Sequence, residues 1–250
     1  MSDGFFIADL PDPVSLGDRV SLTGAEAHHA AVVRRLSLGE SVTLTDGRGR
    51  GVMGRICDVS KSLVTVEVDA VLTPESPQLW VTVAQALPKQ DRAELAVDLM
   101  TEAGADEIIP WAGARSQVRW SGERGQKAYA KWVGAAREAS KQSRRLCFPV
   151  IAPYAGLPDL VSCASAYDCV IVMHEQSDRP ISSCPVPSAG KVLIVIGPEG
   201  GLTGEEVLAL EEAGSTAYLM GHTVLRTSTA GAIAVTQVRL LADLAGRGAE

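Results

Sequence analysis

The chain has 250 residues, a length that allows one large domain or two smaller ones. Hydrophobic residues make up 46% of it, enough for a packed core, yet no apolar stretch approaches the length needed to span a membrane. The N-terminus lacks the basic-then-apolar order of a signal peptide, and the five cysteines form neither a CxxC pair nor a cluster with the four histidines. We therefore expect a cytoplasmic protein with reduced thiols, no membrane segment and no metal site.

Charge is distributed unevenly along the chain. The formal net charge of −7 argues at first against a nucleic-acid partner. The segment from Arg115 to Arg145, however, holds nine lysines and arginines against two acidic residues, a net charge of +7, so the rest of the chain carries −14. A solvated helix face is the plainer interpretation. The long excess of one sign, interleaved with Trp120, Tyr129 and Trp132, favours contact with phosphates.

Residues 1–72 are predicted to form a small β-rich domain. A helix is expected early in it, with Thr23 as a candidate N-cap and Leu36 as its last apolar position. Asp46–Gly49 has the turn chemistry of a hairpin. The predicted strands are Arg19–Leu22, Ser41–Thr45, Gly51–Ile56 and Leu63–Val71. Several short strands around one helix predict a small β-barrel.

A short, stiff linker is predicted at residues 73–78, where two prolines lie in a polar stretch between apolar strands. From residue 79 to residue 250 the pattern alternates between strand and helix. The predicted strands are Leu79–Leu87, Glu107–Trp111, Asp168–His174, Lys191–Ile196 and Thr216–Met220, and the predicted helices are Asp91–Ala103, Glu123–Ser140, Thr203–Ala213 and Ala230–Leu244. This alternation predicts an α/β domain with a parallel sheet covered by helices on both faces.

A glycine-rich turn follows the buried strand Lys191–Ile196. Pro198 lacks the N–H that would continue a ladder, and Gly200 and Gly201 allow the backbone to approach a ligand closely. The spacing of Thr203 and Glu206 is that of a capping box, which predicts a helix start there. An ordinary loop between strand and helix is the alternative. Open α/β sheets nevertheless place their ligands at such a turn.

Two other predicted strands end in comparable sequence. One gives Met173-His174-Glu175, and the other leads through Met220–Ala230, a glycine and Thr/Ser-rich turn before an alanine-rich helix. The carboxyl ends of parallel strands share one edge of a sheet, so these three loops predict one pocket of backbone donors and acceptors, suited to adenine or a similar flat ring. The loops match neither a P-loop nor a Rossmann fingerprint.

Arg226 is the candidate catalytic residue because it is expected to place a fixed positive charge inside this pocket. The alternative is a structural ion pair with Glu199 or Glu205.

The stretches Ile196–Glu206 and Met220–Ala230 resemble the paired signature of the RsmE-type 16S ribosomal RNA methyltransferases, which belong to the SPOUT class. The resemblance covers nearly the whole chain. The N-terminal half is similar to that family's PUA-like RNA-binding domain, and the middle of the chain is similar to its central motifs. The N-terminal likeness lies in His28-His29, Val33–Leu36 and Asp46-Gly47, and the central one in Lys89, Glu102–Gly104 and Glu138–Arg144.

The resemblance implies an S-adenosylmethionine-dependent enzyme that methylates N3 of a uridine in the 16S ribosomal RNA of the small ribosomal subunit. It also implies a trefoil knot in the C-terminal domain and a homodimer. The expected cofactor-binding residues are Met173, His174, Gly197, Pro198, Glu199, Gly200, Gly201, Met220, Gly221, Val224, Leu225, Thr229 and Ala230. The expected RNA-binding residues are Arg34, Arg35, Arg48, Lys89, Arg115, Lys141 and Arg144.

The chain departs from the family pattern at two places. Ser228 stands where the family usually has glutamate, and Asp3-Gly4 precede Phe5-Phe6 where the family often has arginine. The alternatives are a SPOUT ribose 2′-O-methyltransferase acting on rRNA or tRNA, and a non-catalytic RNA-binding protein. A nucleotide-binding metabolic enzyme is disfavoured because phosphate and ribose motifs are absent from the sequence.

Overall fold

The computed structural model describes residues 4–72, 77–89 and 92–247. By contacts the chain divides into two units. Residues 4–72 and 140–148 form an N-terminal unit, and residues 77–139 and 149–247 form a C-terminal unit. Residues 140–148 thus group with the N-terminal unit, although the sequence analysis placed them in the second domain. Most of the predicted linker lies outside the described residues.

One five-stranded sheet builds the N-terminal unit. Its strands are β1 (Gly4–Ile7), β2 (Arg19–Thr23), β3 (Ser41–Thr45), β4 (Gly51–Val59) and β5 (Leu63–Leu72), in the order β1-β3-β4-β5-β2. The pairs are antiparallel except β1 with β3. Apolar residues of all five strands share one core with Ala27 and Ala30, so the sheet curls around that core as a small barrel. The predicted strands are confirmed. β1, which the sequence analysis did not predict, joins β3 at the edge of the sheet.

The predicted early helix is shorter than expected and irregular. It consists of α1 (Gly24–His28) and a π-helical turn, His29–Val33. Thr23 is the N-cap residue, but its side chain makes no capping hydrogen bond. Arg35 then adopts φ of 54°, a left-handed conformation that ends the helix before Leu36.

The C-terminal unit contains a six-stranded sheet in which every pair is parallel. Its strands are β6 (Leu79–Ala86), β7 (Glu107–Trp111), β8 (Val150–Ile151), β9 (Cys169–Met173), β10 (Gly190–Ile196) and β11 (Thr216–Tyr218), in the order β11-β9-β10-β6-β7-β8. The helices that follow α1 are α2 (Arg92–Glu102), α3 (Gly122–Gln142), α4 (Leu157–Cys163), α5 (Gly204–Glu212) and α6 (Thr227–Arg247). The predicted parallel α/β sheet is therefore confirmed.

Both faces of this sheet are buried, which explains the continuous apolar runs of its strands. In β10, Val192, Ile194 and Ile196 belong to the core shared with α2 and α6. Leu193 and Val195, which point to the opposite face, belong to the core shared with α4 and α5. No helix in the described part of the chain is both long and apolar enough to cross a bilayer.

Several elements differ from their predicted bounds. β8 and α4 were not predicted, because two residues are too short for a periodicity signal and α4 starts next to Pro158. β11 ends at Tyr218 rather than Met220. The last helix begins at Thr227 rather than Ala230, because Arg226 O accepts the N–H groups of Thr229 and Ala230 and so opens the first turn earlier.

Candidate active site at the ends of three parallel strands

Three neighbouring strands of the C-terminal unit end at one level of the sheet. In the ladder, Met173 of β9 pairs with Ile196 of β10 on one side and with Tyr218 of β11 on the other. The loops that leave these residues therefore emerge side by side, as the sequence predicted. Together they line one cavity that is open to solvent on one side.

The cavity is lined by most of the predicted cofactor-binding residues. These are Met173, His174, Gly197, Pro198, Glu199, Gly201, Met220, Gly221, Val224, Leu225 and Ala230. Two predicted residues do not line it. Gly200 faces Arg115, whose Cβ lies 3.0 Å from the place where a Cβ on Gly200 would sit, and the Thr229 hydroxyl donates to Arg226 O at 3.1 Å within the first turn of α6. The lining residues that sequence reasoning missed are Glu175, Ile196, Leu202, Leu219, Thr223 and Thr227.

The glycine-rich loop is held by the helix that follows it. Thr203 is the N-cap of α5 and its hydroxyl accepts the Glu206 N–H at 3.2 Å, while Glu206 Oε2 accepts the Thr203 N–H at 2.8 Å. The predicted capping box is therefore confirmed. Gly201 has φ of 71°, which a side chain would rarely adopt, so the turn requires glycine here.

The loop between β11 and α6 presents a run of backbone N–H groups to the cavity. Among the residues that the structure describes, none accepts a hydrogen bond from the N–H groups of residues 221–225. Four of those five residues line the cavity, and a Cβ on Gly221 would meet no atom within 4 Å. Free backbone donors beside apolar Val224 and Leu225 are suited to a flat ligand with polar edges.

The start of α6 is tied to the floor of the cavity. The Thr227 hydroxyl donates to Gly197 O at 3.3 Å, and buried Gln85 of β6 donates through Nε2 to Thr227 O at 3.1 Å. Ser228, which replaces the family's usual glutamate, is buried outside the cavity lining, and its hydroxyl has no partner among the described residues.

Arg226 is exposed and lies between Leu225 and Thr227, which both line the cavity. Its side chain forms no ion pair with any residue of the described chain, so the structural pair with Glu199 or Glu205 is not formed. Glu199 Oε1 accepts the Lys89 N–H at 3.1 Å instead. Arg226 itself is not among the lining residues, so its catalytic role stays a prediction.

The hydroxyl of Tyr218, at the end of β11, is not a base near neutral pH. Tyr218, the last residue of that strand, is buried, and this burial together with the Cys184 thiol raises the pKa of its hydroxyl to about 12. Tyr218 therefore stays protonated near neutral pH. Within the described residues, no group of three or more His, Cys, Asp and Glu side chains is arranged to hold a metal ion.

Two charged residues outside the cavity lining hold the glycine-rich loop in place. Glu206 is buried, and its Oε1 accepts a 2.6 Å hydrogen bond from the N–H of Ala114, a residue of the loop that follows β7. Arg115 Nη1 donates to Gly200 O at 3.1 Å and to Leu202 O at 3.3 Å. Arg115, which the sequence analysis assigned to RNA contact, therefore contacts the glycine-rich loop in the structure.

We expect Arg115→Ala to raise the dissociation constant for S-adenosylmethionine about tenfold, because two charge-assisted hydrogen bonds to the loop are lost. Isothermal titration calorimetry measures the change. Arg124→Ala is the matched control, since Arg124 is exposed on α3 and the same charge is removed. Equal affinities of the two variants would show that Arg115 does not position the loop.

Of the other predicted RNA-binding residues, Lys89 belongs to the C-terminal unit and the rest belong to the N-terminal unit. Arg34, Lys141 and Arg144 line one small pocket of that unit. Lys141 is buried and paired with Glu26 at 2.9 Å, so the structure does not present it as the exposed phosphate contact that was predicted. Arg35 is exposed, and Arg48 lies in the turn before β4, where its N–H donates to Asp46 at 2.8 Å.

Comparison with known protein families agrees with this geometry. A family model for an RNA methyltransferase domain matches residues 74–239, and a model for an RNA methyltransferase PUA domain matches residues 22–69. The parallel sheet, the cavity at its strand ends and the barrel thus define a two-domain RNA methyltransferase.

Similar proteins identify the family within the RNA methyltransferases to which the chain belongs. Ribosomal RNA small subunit methyltransferase E of Mycobacterium bovis is 38% identical to this chain, and the match covers 95% of this chain and 91% of the relative. The enzyme of the same name from Bacillus subtilis is 30% identical, and the match covers 96% of this chain and 97% of the relative. The chain belongs to the ribosomal RNA small subunit methyltransferase E family.

Solved structures show the same fold. The Neisseria gonorrhoeae ribosomal RNA small subunit methyltransferase E, solved with S-adenosyl methionine bound, superposes with a TM-score of 0.84 at 26% identity. A methyltransferase from Legionella pneumophila, solved with the same cofactor, also gives 0.84, at 28% identity. Each comparison covers 96% of this chain and 98% of the other.

Proposed function

We propose that this protein transfers a methyl group from S-adenosylmethionine to N3 of a uridine in the 16S ribosomal RNA of the small ribosomal subunit. The main support for the proposal is the cavity that the loops after β9, β10 and β11 line. The chain also belongs to the ribosomal RNA small subunit methyltransferase E family. The protein would act in the cytoplasm as a homodimer, with a trefoil knot in its C-terminal domain.

The residues around the cavity fit this cofactor. The unpaired N–H groups of residues 221–225 can bind the edge of an adenine ring, and Val224 and Leu225 can contact its face. Glu175 and Glu199 place carboxylates in the lining, which suits a ligand with a cationic sulfonium and ammonium. Gly197 and Gly201 allow the backbone to approach closely.

The chemistry requires positioning and charge. Bound S-adenosylmethionine supplies a methyl group made electrophilic by its sulfonium. Uracil N3 becomes a good nucleophile only after it loses its proton, and the exposed Arg226, which follows the lining residue Leu225, would stabilise the resulting anion. Because N3 lies on the Watson–Crick edge, the uridine must be unpaired to reach the cavity.

Nucleoside analysis of small-subunit RNA from cells that lack this protein tests the proposal. We expect 3-methyluridine to disappear from that RNA and to return when the gene is restored. Loss of a 2′-O-methylated nucleoside instead would contradict N3 as the target and identify a ribose methyltransferase. If calorimetry detected no S-adenosylmethionine binding, the protein would be a non-catalytic RNA binder.

The homodimer is tested separately. Light scattering coupled to size-exclusion chromatography is expected to give twice the 26.3 kDa mass of the chain. A monomer mass at micromolar concentration would contradict that part of the proposal.

A further inference from the structure

The N-terminal unit has a pocket of its own that the methyl-transfer chemistry does not use. It is lined by Phe5, Phe6, His29, Arg34, Lys141, Gln142 and Arg144. Residues of the barrel and of the 140–148 segment therefore meet here, within one unit.

A buried ion pair fixes the wall of this pocket. Lys141 Nζ lies 2.9 Å from Glu26 Oε1. The other oxygen of this carboxylate, Oε2, accepts a 3.3 Å hydrogen bond from the N–H of Ile7, a residue of the edge strand β1. Glu26 thereby joins β1, α1 and the end of α3. The residues that follow Lys141 are held at a defined place beside β1.

The backbone at Arg144 is unusual for its residue type. The N–H of Arg145 donates to Ser140 O at 2.9 Å and that of Arg144 to Lys141 O at 3.3 Å, the two hydrogen bonds of a Schellman motif at the end of α3. Arg144 occupies the left-handed position of this motif, with φ of 55°, where glycine is the common residue. An arginine here costs about 1 kcal/mol relative to glycine, so its side chain is retained against local backbone preference.

The pocket combines cationic, amide and aromatic groups. Arg34 and Arg144 are exposed at its rim, and Gln142 is exposed between Lys141 and Arg144 in sequence. His29 is half-buried and meets Phe6 edge to face, with ring centroids 5.9 Å apart, and Phe5 is also half-buried. Cations suit a phosphate, an amide suits a base edge, and aromatic rings suit the face of a base.

We propose that this pocket binds one unpaired nucleotide of the RNA substrate, away from the uridine that is methylated. Its base stacks on Phe5 or His29, its phosphate contacts Arg34 and Arg144, and Gln142 contacts the base edge. This inference rests on the proposed function, since it assigns a second contact to the same RNA. It differs from a general basic surface because it requires a single strand and a base, as well as charge.

Arg144→Gly and Phe5→Leu in the full chain test the pocket. Glycine fits the backbone at position 144, so Arg144→Gly removes the charge while keeping or raising the melting temperature. The probe is a fluorescein-labelled single-stranded oligouridylate, with the same strand paired to oligoadenylate as a comparison, and the readout is fluorescence anisotropy across salt concentrations. Arg19→Ala is the control, because Arg19 is an exposed arginine of the same unit outside the pocket.

We expect Phe5→Leu to weaken binding of the single strand about tenfold and Arg144→Gly to weaken it by a similar factor while lowering the salt slope by about 1. Arg19→Ala is expected to bind as wild type, and the duplex is expected to bind weakly to all four proteins. The proposal is overturned if wild type does not bind the single strand, if Arg144→Gly or Phe5→Leu binds it as wild type does, or if the duplex binds equally well.

Methylation assays on small-subunit particles separate this inference from the proposed function. Both pocket variants are expected to raise KM for the particle while leaving kcat and the S-adenosylmethionine dissociation constant unchanged. If wild type is active and both variants have the same KM as wild type, the nucleotide-binding proposal for this pocket is wrong, but the proposed function is not contradicted. An inactive wild type that still binds the single strand through Phe5 and Arg144 overturns the proposed function alone.

Discussion

Replacing Arg226 with alanine is expected to lower kcat for methyl transfer at least about a hundredfold while changing S-adenosylmethionine affinity less than about twofold. The side chain is exposed and forms no ion pair within the described chain, and its neighbours Leu225 and Thr227 line the cavity, although Arg226 itself does not. The prediction therefore requires that the exposed guanidinium reaches the base when the RNA is bound. Loss of that charge removes stabilisation of the N3 anion in the transition state.

The measurement is transfer of tritiated methyl groups to small-subunit particles, with cofactor binding measured by calorimetry on the same preparations. Arg247→Ala is the matched control, because Arg247 is an exposed arginine at the other end of α6. Arg226→Lys is expected to recover part of the rate, since lysine keeps the charge but loses the planar donor fork. Equal turnover of Arg226→Ala and wild type would exclude a catalytic role for this residue.

Local sequence signals predicted the cavity. The apolar run 191–196 indicated a doubly buried strand, and alternate residues of β10 do face two different cores. The capping-box spacing of Thr203 and Glu206 fixed the start of α5 to within one residue. Because carboxyl ends of parallel strands share an edge, strand boundaries predicted near 173, 196 and 220 were sufficient to predict that their loops meet.

Interactions between residues far apart in sequence could not be predicted in this way. Nothing local in residues 140–148 indicates that they pack with the N-terminal unit, because that depends on distant partners such as Glu26 for Lys141 and Thr45 for Leu146. β1 is only four residues long, and it is a strand because it pairs with β3, which local sequence does not indicate. Arg115 was predicted from charge alone, yet its partners are carbonyl oxygens more than eighty residues away.

Glu206 is the residue whose removal should most weaken the cofactor loop. We expect Glu206→Ala to lower the free energy of unfolding by about 3 kcal/mol and the melting temperature by about 8 °C, because the N–H groups of Thr203 and Ala114 lose their acceptor. Glu206 is buried at 3% exposure, and its Oε1 lies so close to Gly113 that a Cβ on that residue would be 2.6 Å away. The same change should also raise the S-adenosylmethionine dissociation constant, since the loop at Gly197–Gly201 loses its anchor to residue 114.

Glu205→Ala provides the control for this prediction, because Glu205 is the preceding residue of α5, carries the same charge and is exposed. Both variants lose one negative charge at the helix N-terminus, so any helix-dipole effect is common to them. Glu206→Gln keeps one oxygen acceptor and is expected to lie between wild type and Glu206→Ala in melting temperature. If Glu206→Ala and Glu205→Ala melt together and bind the cofactor equally, the buried carboxylate does not hold the two loops, and the helix dipole alone accounts for its position.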